Sequence, residues 1–126
     1  MSTLRLTTIS NQSGSSSVPS DTVINGSAKA WVNFNGTGTV AIRASFNVSS
    51  ITDNGTGDYT VNFTVAMVDA NYAVAFGAGD YSVGGSNWDY LLGTRGLLTT
   101  YARVIGHDNN SDTFVDINNC NVTVFR

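Results

Sequence analysis

Between Ser27 and Phe125 the chain is a succession of short runs in which apolar and polar residues alternate, separated by glycine-containing turns. A period of two puts successive side chains on opposite faces of a strand, so a chain written this way builds sheets with one buried face and one wet face. The composition closes off the helical alternative. There is no glutamate, one lysine (Lys29) and one glutamine (Gln12), while Val, Thr, Asn, Ser and Gly dominate. Residues that lose little entropy in a helix are missing, and those that suit pleated strands and tight turns fill their place.

The runs can be read in order. Ala30, Val32 and Phe34 alternate with Lys29, Trp31 and Asn33, and Asn35-Gly36-Thr37-Gly38 supplies residues that accept positive φ. Val40, Ile42, Ala44, Phe46 and Val48 form the cleanest period-2 run, with Ala41, Arg43, Ser45 and Asn47 on its other face. A second glycine-rich turn, Asp53-Asn54-Gly55-Thr56-Gly57-Asp58, leads into Tyr59, Val61, Phe63, Val65 and Met67. A short strand from Tyr72 to Phe76 precedes an irregular, glycine-rich stretch from Gly77 to Gly96, and Leu97–Ile105, Thr113–Asn118 and Asn121–Phe125 complete the set. About seven or eight strands, each apolar on one face, predict an all-β fold, a single antiparallel β-sandwich or jelly roll. A parallel sheet would need amphipathic crossover helices that the sequence lacks.

Residues 1–27 differ in kind from residues 28–126. Leu4, Leu6 and Ile9 are spaced as a short strand, and Ser10-Asn11-Gln12-Ser13-Gly14-Ser15-Ser16-Ser17 follows, a flexible composition, then Pro19. An apolar tip joined by a Ser/Gly linker to a compact domain is how a tethering arm is built. The expected organisation is therefore an extended N-terminal docking arm (1–27), anchored by Leu4, Leu6 and Ile9, and a β-sandwich (28–126). A domain of this size buries roughly two-thirds of the surface its unfolded chain exposes.

Charge and special residues narrow the function. A formal net charge of -3, with the few cations scattered, argues against nucleic acid, since duplex binding rests on clustered Lys and Arg. No apolar run approaches the roughly 20 residues of a membrane span, and the N-terminus lacks the apolar core of a signal peptide. These features predict a protein made and kept in a cytosol, or assembled there into something larger. The single cysteine, Cys120, excludes an intrachain disulfide and reads as a strand residue.

Candidate chemistry is sparse. His107 beside Asp108 invites a nucleophile–His–Asp reading, but no Gly-x-Ser-x-Gly elbow singles out a serine, and a surface loop histidine is the simpler account. Asp108-Asn109-Asn110-Ser111-Asp112 opens like a calcium loop, yet Thr113 sits where the glycine belongs and no glutamate closes it; Asx turns explain it better. Asp53 and Asp58 flank a turn and could face each other as a glycosidase pair, but a solvated loop raises neither pKa. Gly36-Thr37-Gly38 and Gly55-Thr56-Gly57 lack the strand-to-helix setting of a phosphate loop. The reading is of no catalytic residue, no metal and no cofactor.

Two surfaces invite partners. Tyr81, Asn87, Trp88, Asp89 and Tyr90 set aromatic rings beside amide and carboxylate groups, the chemistry of a sugar- or protein-binding site; equally, Trp88 could plug one end of the sandwich. Trp31 stands on the polar face of its strand, which suggests a second buried surface and so an oligomer interface.

The stretches Ala28–Gly38, Phe46–Phe63 and Asp69-Ala70-Asn71-Tyr72 resemble a module found in bacteriophage tail-fibre-like and other virion surface proteins, and Met1–Leu6 resembles the start of such proteins. The resemblance covers residues 28–75 well and 1–9 loosely, and departs at Val68, where the family has proline. The chain also has no room for a fibre shaft. The resemblance implies a virion β-module, usually trimeric, and carries over no catalytic residues. The expectation is a non-enzymatic structural protein on the virion surface, assembled in the host cytoplasm: a homotrimeric knob docked on the major capsid protein as decoration or cement. The alternative is a tail-fibre or adhesin tip, joined to a tail protein, that binds a host surface glycan or receptor.

Overall fold

The computed structural model describes residues 2–79 and 90–126. Its elements are β1 (Thr8–Ser10), β2 (Ser17–Pro19), α1 (Ser20–Gly26), β3 (Ala28–Asn35), β4 (Ala41–Phe46), β5 (Val48–Gly55), β6 (Asp58–Phe63), β7 (Ala73–Gly79), β8 (Tyr90–Leu98), β9 (Tyr101–Asp108), β10 (Thr113–Phe114) and β11 (Asn119–Phe125). All pairings are antiparallel. One sheet runs β4-β3-β11-β7; the other runs β5-β6-β9, with β8 along the other edge of β9 and β10 pairing its end. β1 and β2 form a separate hairpin. The expected all-β antiparallel sandwich is present, with nine strands in its two sheets among the described residues and two more in the separate hairpin.

The inner faces meet as the alternation requires. Ala30, Val32, Phe34, Val122 and Val124 from the first sheet pack with Tyr59, Val61, Ala102 and Val104 from the second. The Phe34 and Tyr59 rings meet edge to face with centroids 5.3 Å apart, and Phe63 meets Tyr72 in the same way at 5.9 Å. Polar atoms of these rings are satisfied inside. The Tyr59 hydroxyl lies 2.9 Å from both the Gly36 carbonyl and Asp116 Oδ1, sharing its proton between them. The Tyr72 hydroxyl lies 3.0 and 2.8 Å from the Leu98 and Tyr101 carbonyls. Burial raises both phenol pKa values, that of Tyr72 to about 12. Burial likewise pushes the Cys120 thiol up to about 12, and the thiol donates to the Ile117 carbonyl.

Several local expectations are corrected. The run from Val40 to Val48 is not one strand. A bulge between Asn33 and Phe34 in the β3–β4 register leaves Ala44 and Phe46 on the outer face while Ile42 pairs with the inward Phe34. At Asn47 the chain leaves the first sheet for the second through a left-handed conformation (φ 54°) that asparagine tolerates. The Asn47 amide holds the crossing: Nδ2 donates to the Lys29 and Val65 carbonyls, and Oδ1 accepts from the Val65 amide at 2.7 Å. β4 is thus an edge strand exposed along its whole length. Residues 90–96, expected to be irregular, form β8 together with Leu97 and Leu98, because pairing with β9 overrides their glycine content; the strand expected from Leu97 to Ile105 is divided between β8 and β9. Residues 20–26 form a short helix, entered from Pro19 with Asp21 in its first turn. Gly36, expected to provide positive φ, is required for a different reason: a Cβ there would stand 2.6 Å from the Tyr59 hydroxyl and 2.7 Å from the Ile117 carbonyl. Gly38 takes the positive φ of that turn.

Candidate docking surfaces

The N-terminal arm is the first candidate. Its serine-rich stretch, expected to be flexible, closes the β1–β2 hairpin: Asn11 and Ser16 pair through the backbone, and Asn11 Oδ1 accepts from the Ser16 amide and the Ser13 hydroxyl. Gly14 supplies a left-handed turn residue (φ 71°). Ile9 pairs with Val18 across the hairpin, while Leu4 and Leu6 precede the strand. Leu4 is 82% exposed, and Leu6, Ile9, Val18, Val23 and Ile24 are exposed as well. Among the described residues the hairpin packs substantially only on itself and on α1. Lys29 ties the base of the arm to the sandwich, its ammonium donating to the carbonyls of Ile24 and Ser27. Reading the sequence found Leu4, Leu6 and Ile9 but not Val18, Val23 and Ile24. Their signal was available: they too are apolar residues outside the alternating runs.

The second candidate is the outer face of the β4-β3-β11-β7 sheet. Trp31 pairs with Phe46 on one side and Thr123 on the other, and Thr123 pairs with Ala75, so one row crosses all four strands. Trp31 is 39% and Phe46 55% exposed. The adjacent row is Ala44, Asn33, Asn121 and Gly77. Here Asn33 Nδ2 donates to Asn119 Oδ1 at 2.6 Å and to Asn121 Oδ1 at 2.8 Å, so the amides are locked in orientation. Arg43 and Asn118, joined at 2.7 Å, complete with Asn33 and Asn119 an open polar depression of about 530 Å³. Phe46 was missed as a surface residue because the bulge that turns it outward leaves no mark in the alternation.

The aromatic stretch expected to bind a ligand falls mostly outside the described residues. Tyr81, Asn87, Trp88 and Asp89 lie outside the described residues. Tyr90 begins β8 and is partly buried against the core, so its ring packs rather than standing free.

The titratable residues considered for chemistry serve structure. Asp58 was expected in a solvated loop; instead it starts β6 and is buried. The β6–β9 register and a bulge in β8 bring two arginines to it, a non-local pairing that no local pattern announces. Arg103 donates from Nε and Nη2 at 2.8 Å each and Arg95 from Nη1 at 3.1 Å. Hydrogen bonding to Arg103 holds the Asp58 carboxyl below the usual carboxylate range, against the opposing effect of burial. Asp53 instead accepts from the Gly55 amide at 2.9 Å within its own turn. Asp108 accepts from the Asn110 amide and the Ser111 hydroxyl, as an Asx turn does, and these bonds lower its pKa. His107, expected on a loop, lies in β9, with Nε2 3.3 Å from Asp112 and its ring edge-on to Phe114.

Comparison of the chain with protein-family models, with curated proteins and with solved structures returned no match.

Proposed function

We propose that this chain is a non-enzymatic structural subunit of a bacteriophage virion, a trimeric β-sandwich knob docked on the capsid surface through its N-terminal arm, of the decoration or cement type. The observation that carries the reading is the arm. A lone two-stranded hairpin is marginal in water, yet this one presents a line of exposed apolar residues and, among the described residues, packs substantially only on itself and on α1. Such a segment is completed by another surface. Burying Leu4, Leu6 and Ile9 contributes on the order of 1.5–3 kcal/mol each, and three linked arms multiply the effect through effective concentration. The exposed Trp31–Phe46 pair supports self-association, because a large apolar pair on an outer sheet face is stabilised by being covered. The resemblance of residues 28–75 to virion surface modules supports reading this assembly as part of a phage particle, put together in the host cytoplasm.

Quantitative mass spectrometry of the purified particle tests the reading. A decoration protein is present in numbers comparable with the major capsid protein, and deletion of residues 2–19 abolishes its incorporation. A handful of copies per particle would instead indicate a tail tip contacting a host glycan or receptor. Full incorporation of the truncated chain would show that docking uses the sandwich.

A further inference from the structure

Asparagine followed by glycine occurs at Asn25-Gly26, Asn35-Gly36 and Asn54-Gly55. In such a pair the glycine amide nitrogen can reach the asparagine Cγ, because no Cβ on the second residue obstructs the approach. Two conditions decide whether it does so. The amide nitrogen must be free to give up its proton, and the asparagine side chain must be free to turn its Cγ toward that nitrogen.

The fold denies both conditions at two of the pairs. Asn35 Nδ2 donates to the Thr37 carbonyl at 2.8 Å, and its Oδ1 accepts from the Thr37 amide and hydroxyl. The Gly36 amide belongs to a buried residue and donates to the Ile117 carbonyl at 2.9 Å. Asn54 Nδ2 donates to Thr60 Oγ1 at 2.9 Å, and the Gly55 amide donates to the Asp53 carboxylate at the same distance. A carboxylate against that N–H disfavours the nitrogen anion that would attack.

Asn25 and Gly26 are held by neither device. They close α1, a helix of seven residues with no buried side chain, which packs substantially only on β2. A helix so short is marginal by itself, and its last turn opens at little cost. Among the described residues the Asn25 side chain has no hydrogen bond, and a Cβ at Gly26 would meet nothing within 4 Å. Lys29 grips the carbonyls of Ile24 and Ser27, on either side of the pair, and leaves both reacting groups alone.

We propose that Asn25 is a site of spontaneous deamidation, the one Asn-Gly pair of the three that the fold leaves reactive. When the last turn of α1 opens, the Gly26 amide gives its proton to solvent hydroxide and its nitrogen bonds to Asn25 Cγ. The Cγ–Nδ2 bond breaks, and Nδ2 leaves as ammonia after taking a proton from water. Water then opens the cyclic imide, at Cγ to give aspartate or at the main-chain carbonyl to give isoaspartate. Ammonia is lost and water gained, with no oxidant or reductant. The product carries a new carboxylate in the last turn of α1, where the helix carbonyls are already negative. Charge and backbone therefore change at the root of the arm, while the sandwich is untouched.

Peptide mapping by mass spectrometry, on the full-length chain aged in mildly alkaline buffer, tests this. Residue 25 should convert at least about tenfold faster than residues 35 and 54, the ratio being set by the cost of opening each site. In denaturant the three rates should converge, since each asparagine then precedes a glycine in an open chain. G26A, shown to be folded by circular dichroism, should suppress conversion at residue 25 because the added Cβ obstructs the attack. Conversion at Asn35 or Asn54 as fast as at Asn25 overturns the assignment. A native ranking that persists in denaturant means that local sequence rather than the fold sets it, and the structural argument fails. Conversion of folded G26A at the parent's rate overturns the cyclisation.

Discussion

Replacing Asp58 by asparagine keeps the side chain's shape and removes its charge. The carboxylate accepts three short bonds from two guanidinium groups, and hydrogen bonds to charged groups contribute about 1.5–3 kcal/mol where both partners are buried. Here the carboxylate is buried, but the Arg95 and Arg103 side chains are 46% and 40% exposed. Water re-solvates them once the charge is gone, and exposed pairs are worth only about 0–1 kcal/mol. The net effect falls between these limits, about 2 kcal/mol. For a domain of this length that lowers the melting temperature by about 8 °C at neutral pH. The pH dependence identifies the cause. The folded-state pKa of Asp58 lies below its ordinary value of 3.8, so the stabilisation is fully present above that value and is lost as pH falls through the folded pKa. The gap between parent and D58N, followed by calorimetry, should therefore stay constant from neutral pH to about pH 4 and close below it. Asp69, which Arg126 holds low in the same way, titrates equally in both proteins and cancels. A gap that persists unchanged at about pH 2, or no gap at neutral pH, would refute the charge-pairing argument.

Three further outcomes are expected. G36A forces a Cβ against the Tyr59 hydroxyl and the Ile117 carbonyl, and chemical denaturation should show a loss of about 3 kcal/mol; G38S in the same turn meets no neighbouring atom but takes a left-handed backbone, and should cost about 1–2 kcal/mol. Cys120, fully buried with its thiol pKa raised to about 12, should resist a disulfide-exchange reagent in the native state and react at once in denaturant; rapid native labelling would contradict the core assignment. Deleting residues 2–19 should leave the thermal midpoint of the sandwich within about 2 °C of the parent, since every one of those residues is exposed; a larger drop would mean that the hairpin supports the core.

What the sequence by itself determined is the part governed by local periodicity. Ala30, Val32 and Phe34 point inward and Lys29, Trp31 and Asn33 do not, because a pleated strand enforces a period of two, and the lack of good helix formers left sheets as the main outcome. Residues 1–27 stand out in the sequence for the same reason, as the place where the alternation fails. Three features depended on contacts distant in the chain. The bulge opposite Asn33 and the left-handed Asn47 divide an unbroken-looking apolar run between two faces and two sheets, and only the partner strands show where. Asp58 reads as a turn residue until β9 and β8 bring Arg103 and Arg95 across it. Trp31 can be recognised as outward-facing from its own strand, but its neighbours, Phe46 and Thr123, come from β4 and β11, and the second lies 92 positions away in the chain, at the difference between 123 and 31. Alternation specifies which side of a strand a residue faces. Register between strands decides what it meets there, and register is set by the packing of the whole sandwich.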